Sequence, residues 1–148
     1  MPARTMLQKV TIFAGLDDTA INLLWERATP IKAAAGSVIV AEGEVANRCF
    51  LIAEGSARVC KNFGQPDEVE LSRLGAGDFF GEMCILETLP RCATVQAVTD
   101  ATVYSLPSLA FYQLYEAAPA QYGILVLNMA RDLSRRLRHL DEMFAARH

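Results

Sequence analysis

Gly81-Glu82 and Arg91, nine and ten residues apart, are the residues of this sequence with the most evident chemistry. Gly75, Gly77 and Gly81 loosen the backbone ahead of Met83-Cys84-Ile85-Leu86. Those four apolar residues, with Leu89, predict a short helix tied down on one side. A helix start leaves N–H groups without partners and carries positive partial charge, so one at Gly81 favours an anion. Arg91 lies between Pro90 and a strand-like run, and its planar fork of donors suits a phosphate. Glu82 is an acceptor for sugar hydroxyls. Together these residue types would hold one phosphate and one ribose. The same residues also fit a surface ion pair between Glu82 and Arg91, which would contribute little. Spacing alone leaves both readings open.

The chain that must position them has 148 residues, of which 52% are hydrophobic and 21% charged. That is one domain of ordinary size, able to bury a core and too apolar for disorder. Fourteen Lys and Arg against 17 Asp and Glu leave a net charge of −3, which argues against a dedicated nucleic-acid binder. No apolar run approaches a membrane span, and the first residues lack the apolar core of a signal peptide, so a cytoplasmic location is expected. Cys49, Cys60, Cys84 and Cys92 form no Cys-x-x-Cys pair, and buried free thiols are expected.

Three stretches divide the chain. Residues 1–29 read as a helical segment, with Asp17 as an N-cap and Ala20, Ile21, Leu24 and Ala28 on one face above Phe13 and Leu16. Residues 30–107 read as short strands punctuated by turns, at 38–40, 49–52, 57–61, 69–72, 93–98 and 101–106. That pattern suggests a barrel, sandwich or jelly roll. Residues 108–148 return to a helical period, one helix from Ser108 to about Ala117 and a second from Pro119 to about Ala145. Val126, Ala130, Leu133, Leu137, Leu140 and Phe144 recur at steps of four and three along that second helix. Such a narrow stripe serves either the protein's own core or a two-fold helix–helix dimer.

Phe80-Gly81-Glu82-Met83-Cys84-Ile85-Leu86, followed by Pro90-Arg91-Cys92-Ala93-Thr94-Val95, resembles the phosphate-binding cassette of cyclic nucleotide-binding domains. That pattern runs Phe-Gly-Glu, an aliphatic residue, Ala-Leu, then Leu or Ile; after a variable stretch come Pro-Arg, a small residue, Ala, Thr or Ser, and Val. Gly36 to Glu44 and Phe50 to Gly55 resemble the family's earlier strands and glycine turns, so the likeness covers nearly the whole chain. It implies a single mainly β domain: an eight-stranded antiparallel β-roll with an N-terminal helix and two C-terminal helices, the cassette occupying 80–95. It implies that Glu82 accepts the ribose 2′-hydroxyl and Arg91 pairs with the exocyclic phosphate oxygens. Backbone N–H groups of Met83, Cys84 and Cys92 would complete the cradle, and Gly81 would let the backbone approach the sugar. Thr94 matches a hydroxyl position but is assigned no ligand role. Cys84 departs from the usual Ala. Cys92 departs from a small residue whose Thr form goes with cGMP, and a thiol is a weak donor, so cAMP is expected and cGMP is the alternative. In relatives the last helix covers the base, which makes Arg131, Arg135 and His139 candidates for a purine contact.

The expected function is a standalone cyclic nucleotide sensor without catalytic activity, signalling to an unidentified effector protein by movement of the C-terminal helix, with no DNA-binding domain after that helix and a possible homodimer through it. A degenerate roll binding only protein or another small anion is the alternative. His139 and His148 are the only histidines, and neither belongs to the strands. A cupin-type metal centre, a Ser–His–Asp set and a haem or iron–sulfur sensor therefore lack their residues. No cofactor is expected.

Overall fold

The computed structural model describes residues 1–147; His148, the last residue of the expected C-terminal segment, lies outside the described residues. Helices α1 (Ala3–Gln8) and α2 (Asp18–Glu26), with a 3₁₀ turn at Thr11–Phe13 between them, precede the strands. The strands are β1 (Thr29–Ala33), β2 (Val38–Val40), β3 (Arg48–Glu54), β4 (Ala57–Lys61), β5 (Val69–Leu74), β6 (Phe79–Phe80), β7 (Thr94–Ala97) and β8 (Ala101–Pro107). They form two antiparallel sheets, ordered β1-β8-β3-β6 and β2-β7-β4-β5. A second 3₁₀ turn, Glu82–Ile85, lies between β6 and β7, and α3 (Ser108–Ala117) and α4 (Pro119–Arg147) follow β8. This is the expected eight-stranded roll with flanking helices.

The layering follows from β3. Successive residues of a strand point to opposite faces. Cys49 and Leu51 enter the cluster formed with the helices, beside Leu7, Phe13, Leu24, Phe111 and Leu125. Phe50 and Ile52 enter the interior of the roll, beside Val40, Phe80, Val95 and Val103. An uninterrupted apolar run is what a strand covered on both faces requires.

The N-terminal segment is more divided than the single helix expected. Asp17 caps α2 as predicted, its carboxylate accepting the Ala20 N–H at 2.8 Å. Gly15, however, separates α2 from the 3₁₀ turn and α1 at a left-handed φ of 84°. Strands β1 and β6 escaped the sequence pattern. Four of the five β1 residues are exposed, so no alternation marks it. β6 has two residues, too few to show a period.

Cys49, Cys60 and Cys84 are buried free thiols, as expected. Cys92 is exposed, which corrects the expectation for that residue. It precedes β7 instead of lying within it, in a connection carried by the Val45–Pro90 bridge. The face that α4 buries is not the expected stripe, of which Val126 and Leu133 are half-buried and Ala130 is exposed. Leu125 and Met129 are buried, whereas Leu137 and Leu140 are 62% and 60% exposed. Among the described residues, no helix is long and apolar enough to cross a membrane.

Candidate functional site

Arg91 is positioned first through its backbone. Its N–H donates to the Glu44 carbonyl at 2.7 Å and its own carbonyl accepts the Gly43 N–H at 2.9 Å. The Ala46 N–H donates to the Leu89 carbonyl at 2.9 Å, so the segments 43–46 and 89–91 hold each other. Glu42 extends this clamp. Its carboxylate accepts the Asn62 N–H at 3.1 Å and pairs with Lys61 at 3.1 Å. Those two partners, the Asn62 N–H foremost, hold the Glu42 carboxyl below the usual carboxylate range. Lys61 also donates to the Cys92 carbonyl at 2.8 Å. Thr94 serves the same clamp, its Oγ1 accepting the Glu42 N–H at 3.0 Å.

The guanidinium is then fixed from three sides. Nη2 donates to the Arg48 carbonyl at 2.7 Å. The Phe50 ring lies 5.6 Å away, a cation–π contact, and Phe50 itself stacks on Phe80 at 5.0 Å. Gly81 supplies the third side. It adopts the left-handed region at φ 80°, and a Cβ there would meet Arg91 Nη1 at 2.6 Å and the Arg48 oxygen at 3.1 Å. Glycine leaves the space in which the guanidinium lies.

Gly81 also begins the turn Glu82–Ile85, which the sequence reading expected as a short helix. It is a single 3₁₀ turn of four residues, and the Cys84 N–H already reaches the Gly81 carbonyl at 3.3 Å. Cys84 and Ile85 bury the turn's inner side. The Cys49 Sγ donates to the Leu106 carbonyl at 3.7 Å. The neighbouring Cys49 thiol, ahead of the Arg91 charge, lowers the Cys84 thiol from its ordinary value, while burial pushes Cys49 well up.

All six residues expected to form the site, Gly81, Glu82, Met83, Cys84, Arg91 and Cys92, line one cavity of about 410 Å³. Its other wall is apolar, with Val40, Val59 and Val95 contributed by β2, β4 and β7. The volume falls within the roughly 300–1,000 Å³ of small-molecule sites. An apolar wall opposite a fixed guanidinium and a carboxylate suits a ligand with a flat apolar part, a sugar and an anion.

The glutamate and arginine of the cassette do not pair as a plain surface ion pair would. Glu82 pairs instead with Arg136 of α4, Nη2 to Oε1 at 3.0 Å, and Arg136 also holds Asp132 at 2.9 Å. The Glu82 side chain is 15% exposed and that of Arg136 57%. A second, smaller cavity of about 190 Å³ lies on the other side of this pair, against Lys9 and Asp78. Arg131, Arg135 and His139 are exposed and do not line the larger cavity. Arg136 is the α4 residue at its mouth, and sequence reasoning missed it. Its four-residue spacing from Asp132 was the available signal, but the rotation of α4 about its axis was not legible. Hydrogen bonds from Asn128 to the Ile12 and Ala14 carbonyls, at 3.0 and 2.8 Å, set that rotation.

Among the described residues, no group of three or more His, Cys, Asp or Glu side chains is placed to hold a metal ion.

Residues 30–118 match the family model described as "Cyclic nucleotide-binding domain". A cyclic nucleotide-gated potassium channel of Rhizobium etli is 36% identical over 115 residues, covering 77% of this chain and 30% of the channel. A CRP-like cAMP-activated global transcriptional regulator of Mycobacterium tuberculosis is 26% identical over 140 residues, 95% of this chain and 61% of the regulator. The chain therefore spans less than two thirds of either relative. Among solved structures, the catabolite activator protein of Thermus thermophilus superposes with a TM-score of 0.77 at 27% identity, over 91% of this chain and 62% of that one. The N-terminal domain of a transcriptional regulator from Streptomyces coelicolor shares the fold, with a TM-score of 0.80 at 24% identity over 88% of this chain and 94% of that one.

Proposed function

The chain belongs to the cyclic nucleotide-binding domain family, and from that membership we propose that it binds cAMP in the cavity beside Arg91 and reports occupancy through α4. The observation that carries this reading is the fixed Arg91 guanidinium against Gly81, in a cavity that Glu82 also lines. Arg91 takes the exocyclic phosphate oxygens through its donor fork. Glu82 accepts the ribose 2′-hydroxyl. Backbone N–H groups of Met83, Cys84 and Cys92 complete the anion's surroundings, the Cys84 N–H by exchanging its 3.3 Å bond to Gly81. The purine lies against Val40, Val59 and Val95. A thiol at Cys92 is a weak donor, which favours cAMP over cGMP. Calorimetric titration of ligand-stripped protein with both nucleotides tests this. Tighter binding of cAMP is expected, and the absence of heat with either nucleotide in folded, empty protein would overturn it.

The route to α4 runs through the Glu82–Arg136 pair. A ribose hydroxyl on Glu82 changes what Arg136 gains from that carboxylate, so occupancy alters the balance between α4 positions. Because the arginine is more than half exposed, Arg136→Gln is expected to change cAMP affinity by only about two- to tenfold, and to reduce its salt dependence. Titrations at two ionic strengths check this. An unchanged salt dependence would remove Arg136 from the route.

A homodimer through the distal half of α4 belongs with this proposal. Leu133, Leu137 and Leu140 recur at steps of four and three on one helix, the first half-buried and the other two exposed. Leu137→Glu is expected to convert a dimer to a monomer in sedimentation at matched concentration. A wild-type chain that sediments as a monomer with and without ligand would sink the dimer.

A further inference from the structure

Glu87 is a charged residue of the larger cavity to which nucleotide binding, as described, gives no role. Its backbone is fixed. The Glu87 N–H donates to the Met83 carbonyl at 3.1 Å, at the end of the turn that carries Glu82. Beyond it, the Leu89 carbonyl accepts the Ala46 N–H at 2.9 Å and the Arg91 N–H donates to the Glu44 carbonyl at 2.7 Å. Glu87 is exposed, and among the described residues no hydrogen bond or ion pair reaches its carboxylate. The charged residues that line the cavity are Glu82, Glu87, Arg91 and Arg136. Glu82 and Arg136 pair with each other at 3.0 Å. That leaves one cation, Arg91, and one carboxylate, Glu87. The short chain between them holds their α-carbons within about 14 Å. Both border one cavity, so a phosphate on Arg91 stands in the field of Glu87.

We infer that Glu87 is a specificity-determining residue, which admits a phosphodiester with one negative charge and disfavours a phosphomonoester with two. The inference rests on the nucleotide reading of this cavity. A cyclic nucleotide and its ring-opened 5′-monophosphate carry the same purine and the same ribose 2′-hydroxyl, so the apolar wall and Glu82 separate them weakly. Their anions differ. The cyclic diester has one charge, whereas a monoester approaches two above about pH 7, its second ionisation lying near pH ~6. Arg91 offsets one charge. The second charge finds Arg136 already engaged by Glu82 and Asp132, and it is repelled by Glu87. Repulsion scales with the charge of the ligand. Removing the carboxylate therefore raises the affinity of a monoanion by some factor and that of a dianion by about the square of that factor. Solvent around the exposed Glu87 keeps the factor small, about threefold.

The experiment titrates the ligand-stripped full chain calorimetrically at about pH 8, where the monoester is a dianion. The ligands are cAMP, 5′-AMP and the methyl ester of 5′-AMP, an open-chain monoanion that separates charge from ring shape. Glu87→Gln keeps the size of the side chain and removes its charge. It is expected to bind cAMP and the methyl ester about threefold more tightly than wild type, and 5′-AMP about tenfold more tightly. Glu87→Lys is expected to extend the same order, with 5′-AMP again gaining most. Glu54→Gln removes a charge from an exposed residue at the end of β3, outside the cavity, and is expected to leave the ratio of the three affinities unchanged. Equal gains for all three ligands, or no gain, would overturn the charge filter while leaving the cAMP site in place. A gain shared by 5′-AMP and its methyl ester but not by cAMP would move the discrimination to ring shape and also overturn it. Folded protein that binds none of the three would defeat the nucleotide reading, and this inference with it.

Discussion

Arg91→Ala is expected to lower cAMP affinity by about 30- to 700-fold, or ~2–4 kcal/mol, while leaving the chain folded. The size of the effect comes from leaving a phosphate in a largely apolar cavity without its charged partner. Folding is little affected because the Arg91 backbone, not its side chain, joins the 43–46 segment. The guanidinium itself contributes one hydrogen bond to the Arg48 carbonyl and a contact with Phe50. Arg91→Lys retains the charge but loses the planar fork, so it is expected to fall between alanine and wild type. Calorimetry on ligand-stripped protein, paired with thermal melts, separates binding from folding. Wild-type affinity in a folded Arg91→Ala variant would remove the phosphate from this site.

Gly81→Ala is expected to weaken cAMP binding nearly as much, with a moderate loss of stability. Two costs arise at this position. The left-handed φ of 80° penalises any L side chain by about 1–2 kcal/mol. The new Cβ would also lie 2.6 Å from Arg91 Nη1 and 3.1 Å from the Arg48 carbonyl oxygen. The guanidinium can move and the β3 carbonyl cannot, so the contact is relieved by expelling Arg91 from its seat. Gly64→Ala supplies the control. Gly64 has a similar φ of 77°, and an added Cβ there meets nothing within 4 Å. Both variants should melt a few degrees lower, by roughly 2–4 °C per kcal/mol in a chain of this size. Only Gly81→Ala should also lose affinity. Equal affinity in the two variants would show that the Gly81 cradle does not seat Arg91.

The cassette was legible in the sequence because its parts are local. Gly81, Glu82 and Arg91 lie within one short segment, and the contiguous motif around them carries the family resemblance. The capped helix α2 and the doubly covered strand β3 were legible for the same reason. Asp17 acts on an amide three residues away, and the apolar run of β3 reflects burial on both of its faces. β1 and β6 were not legible, being mostly exposed in one case and two residues long in the other. Their strand form comes from partners: β8 holds β1, and β3 holds β6 through Phe50–Phe80 and Leu51–Phe79.

By itself the amino-acid sequence carried the contiguous motif that identifies the family and, through that resemblance, implied the roll with its flanking helices; apolar periodicity alone reached only a barrel, sandwich or jelly roll, because it acts over short stretches of chain. Which groups from distant segments meet was decided by tertiary structure. Arg136 reaches Glu82 across 54 residues because Asn128 and the packed face of α4 set the rotation of that helix. Cys84 is buried because the cassette turn packs against β3, and Cys92 stays open because its segment bridges to residue 45 before β7 begins. A side chain's type is local, but its neighbours depend on how every intervening element packs.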